Sequence, residues 1–186
     1  MRPKKESRVI RDARPGDRKA ILRVTLSAYE EYAPFMRYWD YYREDIIATL
    51  ERVGPAEQIV AELNGSLVGS VLLYPAGTVF TFPDGDSLTL KWPEVRLLAV
   101  APAARGKGIG TSLMGDCIRR ARRSGARFLT LHTNDIMAAA IRLYDRLGFQ
   151  HDPGLDFPID EHLTIKGYKL ALDDKQGAGI TPPPAA

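Results

Sequence analysis

VRLLAVAPAARGKGIGTSLMGDCIRRARRSG, residues 95–125, begins as an apolar strand and ends as a basic helix, with three alternating glycines, Gly106, Gly108 and Gly110, at the change. The first amides of a helix lack intrahelical partners, and the helix dipole makes that end positive. Glycines let the backbone approach a ligand closely and adopt conformations that other residues resist. Strand, glycine loop and helix N-terminus together form an anion cradle, most often for phosphate. Arg105 and Lys107 add positive charge there. Arg119, Arg120, Arg122 and Arg123 lie at the far, negative end, where helix-dipole partners and solvated surface are expected. A Walker loop needs Gly-x-x-x-x-Gly-Lys followed by Ser or Thr, a spacing RGKGIGTS lacks. A dinucleotide fingerprint needs a third glycine where Thr111 or Leu113 stands. The plain alternative, a tight turn that only lets a helix pack on a strand, stays open on the loop alone.

Outward from this stretch, RVIRDA reads as a strand and RPGD as a turn, with Asp17 capping a helix to about Tyr32. Phe35, Tyr38, Trp39, Tyr42, Ile46 and Leu50 recur at three-to-four spacing, which predicts a helix over 34–53 stopped at Gly54-Pro55. Asn64-Gly65 between two apolar runs predicts a tight hairpin. Residues 76–92 read as a loop or a small extra hairpin. RFLTLHT is the next strand and MAAAIRLYDRLG the next helix, ended by Gly148; FQHD and LTIKGYKLAL supply the last strands. Antiparallel strands first and strand–helix–strand units later predict a mixed α/β sheet with helices on its faces.

At 186 residues the chain reads as one domain. Expected boundaries are a flexible N-terminus at 1–7, the domain at 8–172 and a disordered tail at 173–186, where DDKQGAGITPPPAA has little to bury. The formal charge of +3 is too small to argue for nucleic acid. The one cysteine, Cys117, excludes an internal disulfide, fits a reducing compartment and is expected as a small buried residue. There is no apolar run of membrane-spanning length and no apolar core to a secretory signal, so the cytoplasm is the expected location. His132, His151 and His162 show no metal-ligand spacing, and His132 reads as an ordinary strand residue.

Glu94 to Leu113 resembles the acyl-CoA-binding motif of the GNAT superfamily of N-acyltransferases: Arg105, Gly108 and Gly110 match its Arg/Gln-x-x-Gly-x-Gly/Ala core, and Ala99 to Pro102 match the end of its strand. AAAIRLYDRLGF is similar to the second signature of that family, with Leu143, Tyr144, Leu147, Gly148 and Phe149 in place. The resemblance spans 8–172 in element order and is specific over 94–149. It implies a mainly antiparallel mixed sheet with helices on both faces, and transfer of an acetyl group from acetyl-CoA to an amine-bearing acceptor, with no metal implied; from charge and hydropathy no nucleic acid or membrane is expected as a partner. It leaves room for a homodimer. Acceptor identity, small amine or protein, is not legible.

The resemblance also implies roles. Glu94 falls where several relatives place a general base, against the reading of a charged strand-end residue. Leu98 falls where the strand bulges and turns an N–H to the thioester carbonyl. Ala99 and Val100 lie along the pantetheine arm, and Val100 bonds it through its backbone. Arg105, Gly106, Lys107, Gly108, Ile109, Gly110 and Thr111 cradle the pyrophosphate. Tyr144 falls where relatives place the acid for the leaving sulfur, against the reading of a core aromatic. Many relatives carry Asn seven residues before that Tyr; here the position is Met137, with Asn134 three residues early. Aromatics interleaved with Glu30, Glu31, Asp40, Glu44 and Asp45 can hold a cationic amine, although their spacing is that of a core stripe. A non-catalytic acyl-CoA sensor is the rival reading, since it needs neither Glu94 nor Tyr144.

Overall fold

Asn64 and Gly65 both take positive φ (52° and 81°), and around them β2 (Glu57–Leu63) and β3 (Ser66–Tyr74) form the expected hairpin. A computed structural model describes residues 6–81, 85–159 and 163–172. The expected disordered tail and His162 lie outside the described residues. Of the N-terminal segment, Glu6 pairs with Lys107 at 2.7 Å and Ser7 exchanges hydrogen bonds with Asn64.

β1 (Arg8–Asp12) adds to β2, and β6 (Glu94–Val100) adds to β3, all antiparallel. β7 (Phe128–Thr133) joins β6 in parallel, and β10 (Thr164–Ala171) joins β7 antiparallel. The order is β1-β2-β3-β6-β7-β10-β8, with β8 (Gln150–His151) at the edge and β9 (Phe157–Pro158) on β10. This is the mixed, mainly antiparallel sheet expected. Residues 76–92 include a separate hairpin, β4 (Val79–Thr81) with β5 (Ser87–Thr89).

Alternation along the strands feeds two cores. Val71, Leu73, Val95, Leu129 and Leu131 face α3 (Ile109–Arg123) and α4 (Ala138–Arg146). Val60, Leu72, Tyr74 and Ala99 face α1 (Arg18–Tyr29) and α2 (Trp39–Glu51). Leu113 and Met114 of α3 are fully buried against the sheet, each burial worth about 1.5–3 kcal/mol. Cys117 is buried as expected, and burial pushes its thiol up to about 12, far from a reactive thiolate.

Three local expectations fail. Asp17 does not cap α1 with its side chain; it accepts from the Arg14 amide at 2.7 Å and pairs with Arg11, whose hydrogen bonds hold its carboxyl near 2. The predicted 34–53 helix starts only at Trp39: Pro34 sits in a 3-10 turn (Glu30–Phe35), and Phe35 (72% exposed) and Tyr38 (53%) leave the core stripe. Arg120 is not solvated surface; it bridges Asp116, Asp12 and Glu57 across to the sheet.

Candidate active site

β6 and β7 pair only at Glu94–Thr130 and Val95–Leu131 and then separate. The reason lies in β6. Leu97 sits at φ 49°, and the β3 pairing skips from Arg96–Leu72 to Ala99–Ser70, a bulge that turns the strand. Beyond it the Ala101 amide bonds Val68 of β3 at 2.8 Å. By strand alternation the amides of Leu98 and Val100 therefore point to the opposite edge, into the gap left by β7.

That gap is a cleft of about 410 Å³. Its walls include Leu98 and Val100 of β6, Met137, Ala140 and Tyr144 of the α4 side, and Tyr29 and Tyr32 of the α1 side. The glycine loop forms its floor through Arg105, Gly106, Gly108, Ile109, Gly110 and Thr111. Gly108 (φ 73°) is the residue before α3, a left-handed position that the glycine makes cheap. The first intrahelical bond runs from the Ser112 amide to the Gly108 carbonyl, so the amides of Ile109, Gly110 and Thr111 precede the ladder. Arg8 braces the loop from behind, donating to the Lys107 carbonyl and the Ser112 hydroxyl, each at 2.8 Å.

Two loop cations are already engaged. Arg105 donates to Glu31 at 2.6 Å and to the Ala28 carbonyl at 3.2 Å, and this bond pulls the Glu31 carboxyl below its usual range. Lys107 pairs with Glu6, and neither it nor Ala99, whose side chain is buried in the α1 core, is among the cleft walls. Tyr144 is buried beside Phe149, ring centroids 5.9 Å apart, and burial holds its phenol well above the ordinary value. Met137 lines the cleft, while Asn134 is buried with its side-chain oxygen unpaired among the described residues.

Glu94 stands beside Tyr74 of β3, on the side of the sheet that carries the α1–α2 core, and is 5% exposed. Its Oε2 is 3.1 Å from Nδ1 of His132, and its Oε1 is 3.9 Å from Nε of Arg96. His132 is thus more than a strand residue: its Nε2 meets the Leu155 carbonyl at 3.0 Å. Arg96 lies over the Phe80 ring, 4.7 Å from its centroid. Alternation in RFLTLHT placed Thr130 and His132 on one face; which residue they meet appears only with the β6–β7 register. Of the acids between 30 and 45, Glu31 faces the cleft, where it holds Arg105.

Among the described residues no cluster of His, Cys, Asp and Glu has a metal-binding arrangement, and no helix is long and apolar enough to cross a membrane.

A bulged strand that opens from its parallel neighbour, over a glycine loop and a helix N-terminus, defines an acyl-CoA-type transferase fold. The chain belongs to the GNAT acetyltransferase family, whose model matches residues 20–149. It is 34% identical over 102 residues to a mycothiol acetyltransferase of Parafrankia sp., covering 52% of this chain and 32% of that one. It is 35% identical over 97 residues to an uncharacterized N-acetyltransferase, YhfO, of Bacillus subtilis, covering 52% and 60%. The match therefore spans only about a third and three fifths of these curated relatives' lengths. A GNAT family acetyltransferase from Brucella melitensis, solved in complex with acetyl-CoA, shares the fold at TM-score 0.59 and 24% identity, over 89% of this chain and 88% of that one.

Proposed function

We propose that the protein is an acetyl-CoA-dependent N-acetyltransferase that acts on a primary amine of a small molecule or protein. The observation that carries the reading is the opened edge of β6: two strand amides face a cleft whose floor is the unpaired start of α3. Acetyl-CoA would supply an activated thioester there. The amides of Ile109, Gly110 and Thr111, with Arg105, suit its diphosphate. The Val100 backbone suits the pantetheine arm, and the Leu98 amide the oxyanion that forms at the thioester carbonyl. Tyr144, protonated at every physiological pH, suits the departing thiolate as a proton donor. An alkyl ammonium is mostly protonated at neutral pH, so a base is needed, and Glu94 takes that role in this reading. The reading extends to a cytoplasmic protein, in keeping with its single buried thiol.

One observation favours the sensor alternative. Met137, a thioether, occupies the cleft wall where a hydrogen-bonding Asn is common in relatives. A thiol-release assay with acetyl-CoA and a broad panel of amines separates the two. Turnover with any amine establishes the enzyme and names the acceptor class; acetyl-CoA binding by calorimetry with no thiol release from any amine establishes the sensor.

A further inference from the structure

Glu94 and His132 meet in a place the fold has gone to some length to build. His132 on β7 stands directly opposite Gly167 on β10. A Cβ at Gly167 would fall 2.2 Å from Cβ of Leu155, so only glycine lets the Pro153–Leu155 turn lie on β10 at this point. The turn is pinned there: the Gly167 amide donates to Asp156 at 2.8 Å, and the Asp152 amide donates to the Gly167 carbonyl at 2.9 Å. The result is the Leu155 carbonyl at 3.0 Å from Nε2 of His132.

That contact fixes the histidine's chemistry. A carbonyl oxygen only accepts, so Nε2 must carry a proton to meet it. In a neutral imidazole Nδ1 then has a bare lone pair. It faces a carboxylate oxygen at 3.1 Å, also an acceptor. Two lone pairs at that distance repel, and one proton between them turns the repulsion into a charge-assisted hydrogen bond. The groups facing the imidazole are consistent with this. Glu94 and the Leu155 carbonyl favour the imidazolium, Arg96 opposes it, and the Phe157 ring, 5.4 Å away between centroids, is uncharged. Burial alone would pull the histidine down, but its acceptors outweigh burial and leave it above the ordinary imidazole value.

We propose that Glu94 and His132 act as one proton-accepting unit, with His132 a positioning residue that holds the proton Glu94 takes from the acceptor ammonium. This rests on Glu94 as the base of the proposed transfer. In the step, an ammonium N–H bond breaks and its electron pair stays on nitrogen. The proton joins Glu94 and is shared with Nδ1 of His132, leaving imidazolium beside carboxylate; it returns to water before the next turnover. The pairing has a physical use. A lone carboxylate is too weak a base to be well matched to an amine, whereas a proton passed on to His132 is held by an imidazole whose two acceptors raise it above its ordinary value. Below the raised histidine value the unit already holds its proton and is inactive, and it becomes active as pH rises through that value.

Two measurements test this. Ring ¹⁵N NMR of the ligand-free protein should show His132 titrating above about 6.5, and Glu94→Gln should lower that midpoint by about one unit or more. In the thiol-release assay, His132→Gln should move the acid limb of kcat at least about one unit down in pH. It should cost about tenfold or more beside native Glu94, but under about threefold in a Glu94→Gln background, because it acts through Glu94. His132→Asn serves if the Gln variant melts below the assay temperature. An unmoved limb, or a loss of equal size in both backgrounds, would make His132 merely structural and overturn the proposal. A His132 midpoint indifferent to Glu94→Gln overturns the shared proton. Thiol release from no amine overturns the transfer reading itself, while the ring titration still reports whether the pair holds its proton.

Discussion

On its β7 edge, past the bulge, β6 offers main-chain groups: the Leu98 and Val100 amides, continued by the amides that open α3. On the face it turns to the α1–α2 core the same strand offers side chains, Glu94 and Arg96, met by His132 from β7, Phe80 from the β4–β5 hairpin and, through His132, the carbonyl of Leu155. A main-chain site is encoded by what it lacks: glycines and a strand that fails to pair. A side-chain site is encoded by residues that share no neighbourhood in sequence. The two faces should therefore fail differently when altered. Changes on the side-chain face should strike kcat, and changes on the main-chain face should strike acetyl-CoA affinity.

The largest expected effect is Glu94→Gln, which keeps shape and removes basicity. It should lower kcat by between about a hundredfold and ten-thousandfold, with acetyl-CoA affinity by calorimetry nearly intact. Loss of affinity instead would erase the distinction between the faces. Tyr144→Phe should cost about a hundredfold in kcat, the lower end, since a thiolate leaves without great difficulty. Tyr144 is a side chain in the main-chain cleft, so this variant separates the kind of group from the face on which it lies. A fall in melting temperature with kcat unchanged would mark it as a core aromatic.

The main-chain face was the legible one. Gly106, Gly108 and Gly110 mark the loop, and Arg105 and the Leu143-to-Phe149 signature fall at the cleft or beside it. The sheet order was legible too, because Asn64-Gly65 and the strand–helix–strand alternation are local signals. What escaped depends on register and on the pinning of turns. Nothing near His132 announces Glu94, which is 38 positions away in the numbering and adjacent only because β6 and β7 pair as they do. Nothing in HDPGLDF announces that a glycine on β10 admits Leu155. The α2 boundary failed for a simpler reason: periodicity ran through Phe35 and Tyr38, but Pro34 and the 3-10 turn rotated both outward.

Two smaller effects probe the cofactor face. A Cβ at Gly110 would lie 3.1 Å from Cδ2 of Leu143 and 3.8 Å from Cγ2 of Val100, between the cleft walls. Gly110→Val should therefore weaken CoA binding about tenfold or more, some 1.4 kcal/mol, in a calorimetric titration on protein shown folded by circular dichroism. Glu31→Gln should do the reverse and tighten it. Glu31 holds Arg105 in a half-exposed pair, so freeing the guanidinium is worth at most about 1 kcal/mol, or about fivefold in Kd. A weaker Kd in Glu31→Gln would mean that Glu31 positions Arg105 for the ligand rather than competing with it.

In the proposed transfer, the main chain of β6 and α3 forms the acyl-CoA site. The described residues also form a larger cavity, about 570 Å³, lined from Asp12 to Arg18 and from Leu50 to Gln58, where β1 ends and β2 begins. An amide-resolved NMR titration with CoA discriminates between them directly. The Leu98, Val100, Gly106, Ile109, Gly110 and Thr111 amides should move most, with Ala13 and Val53 unmoved. Shifts concentrated at Ala13, Arg18 and Val53, or a β6 edge that does not respond to CoA, would contradict it.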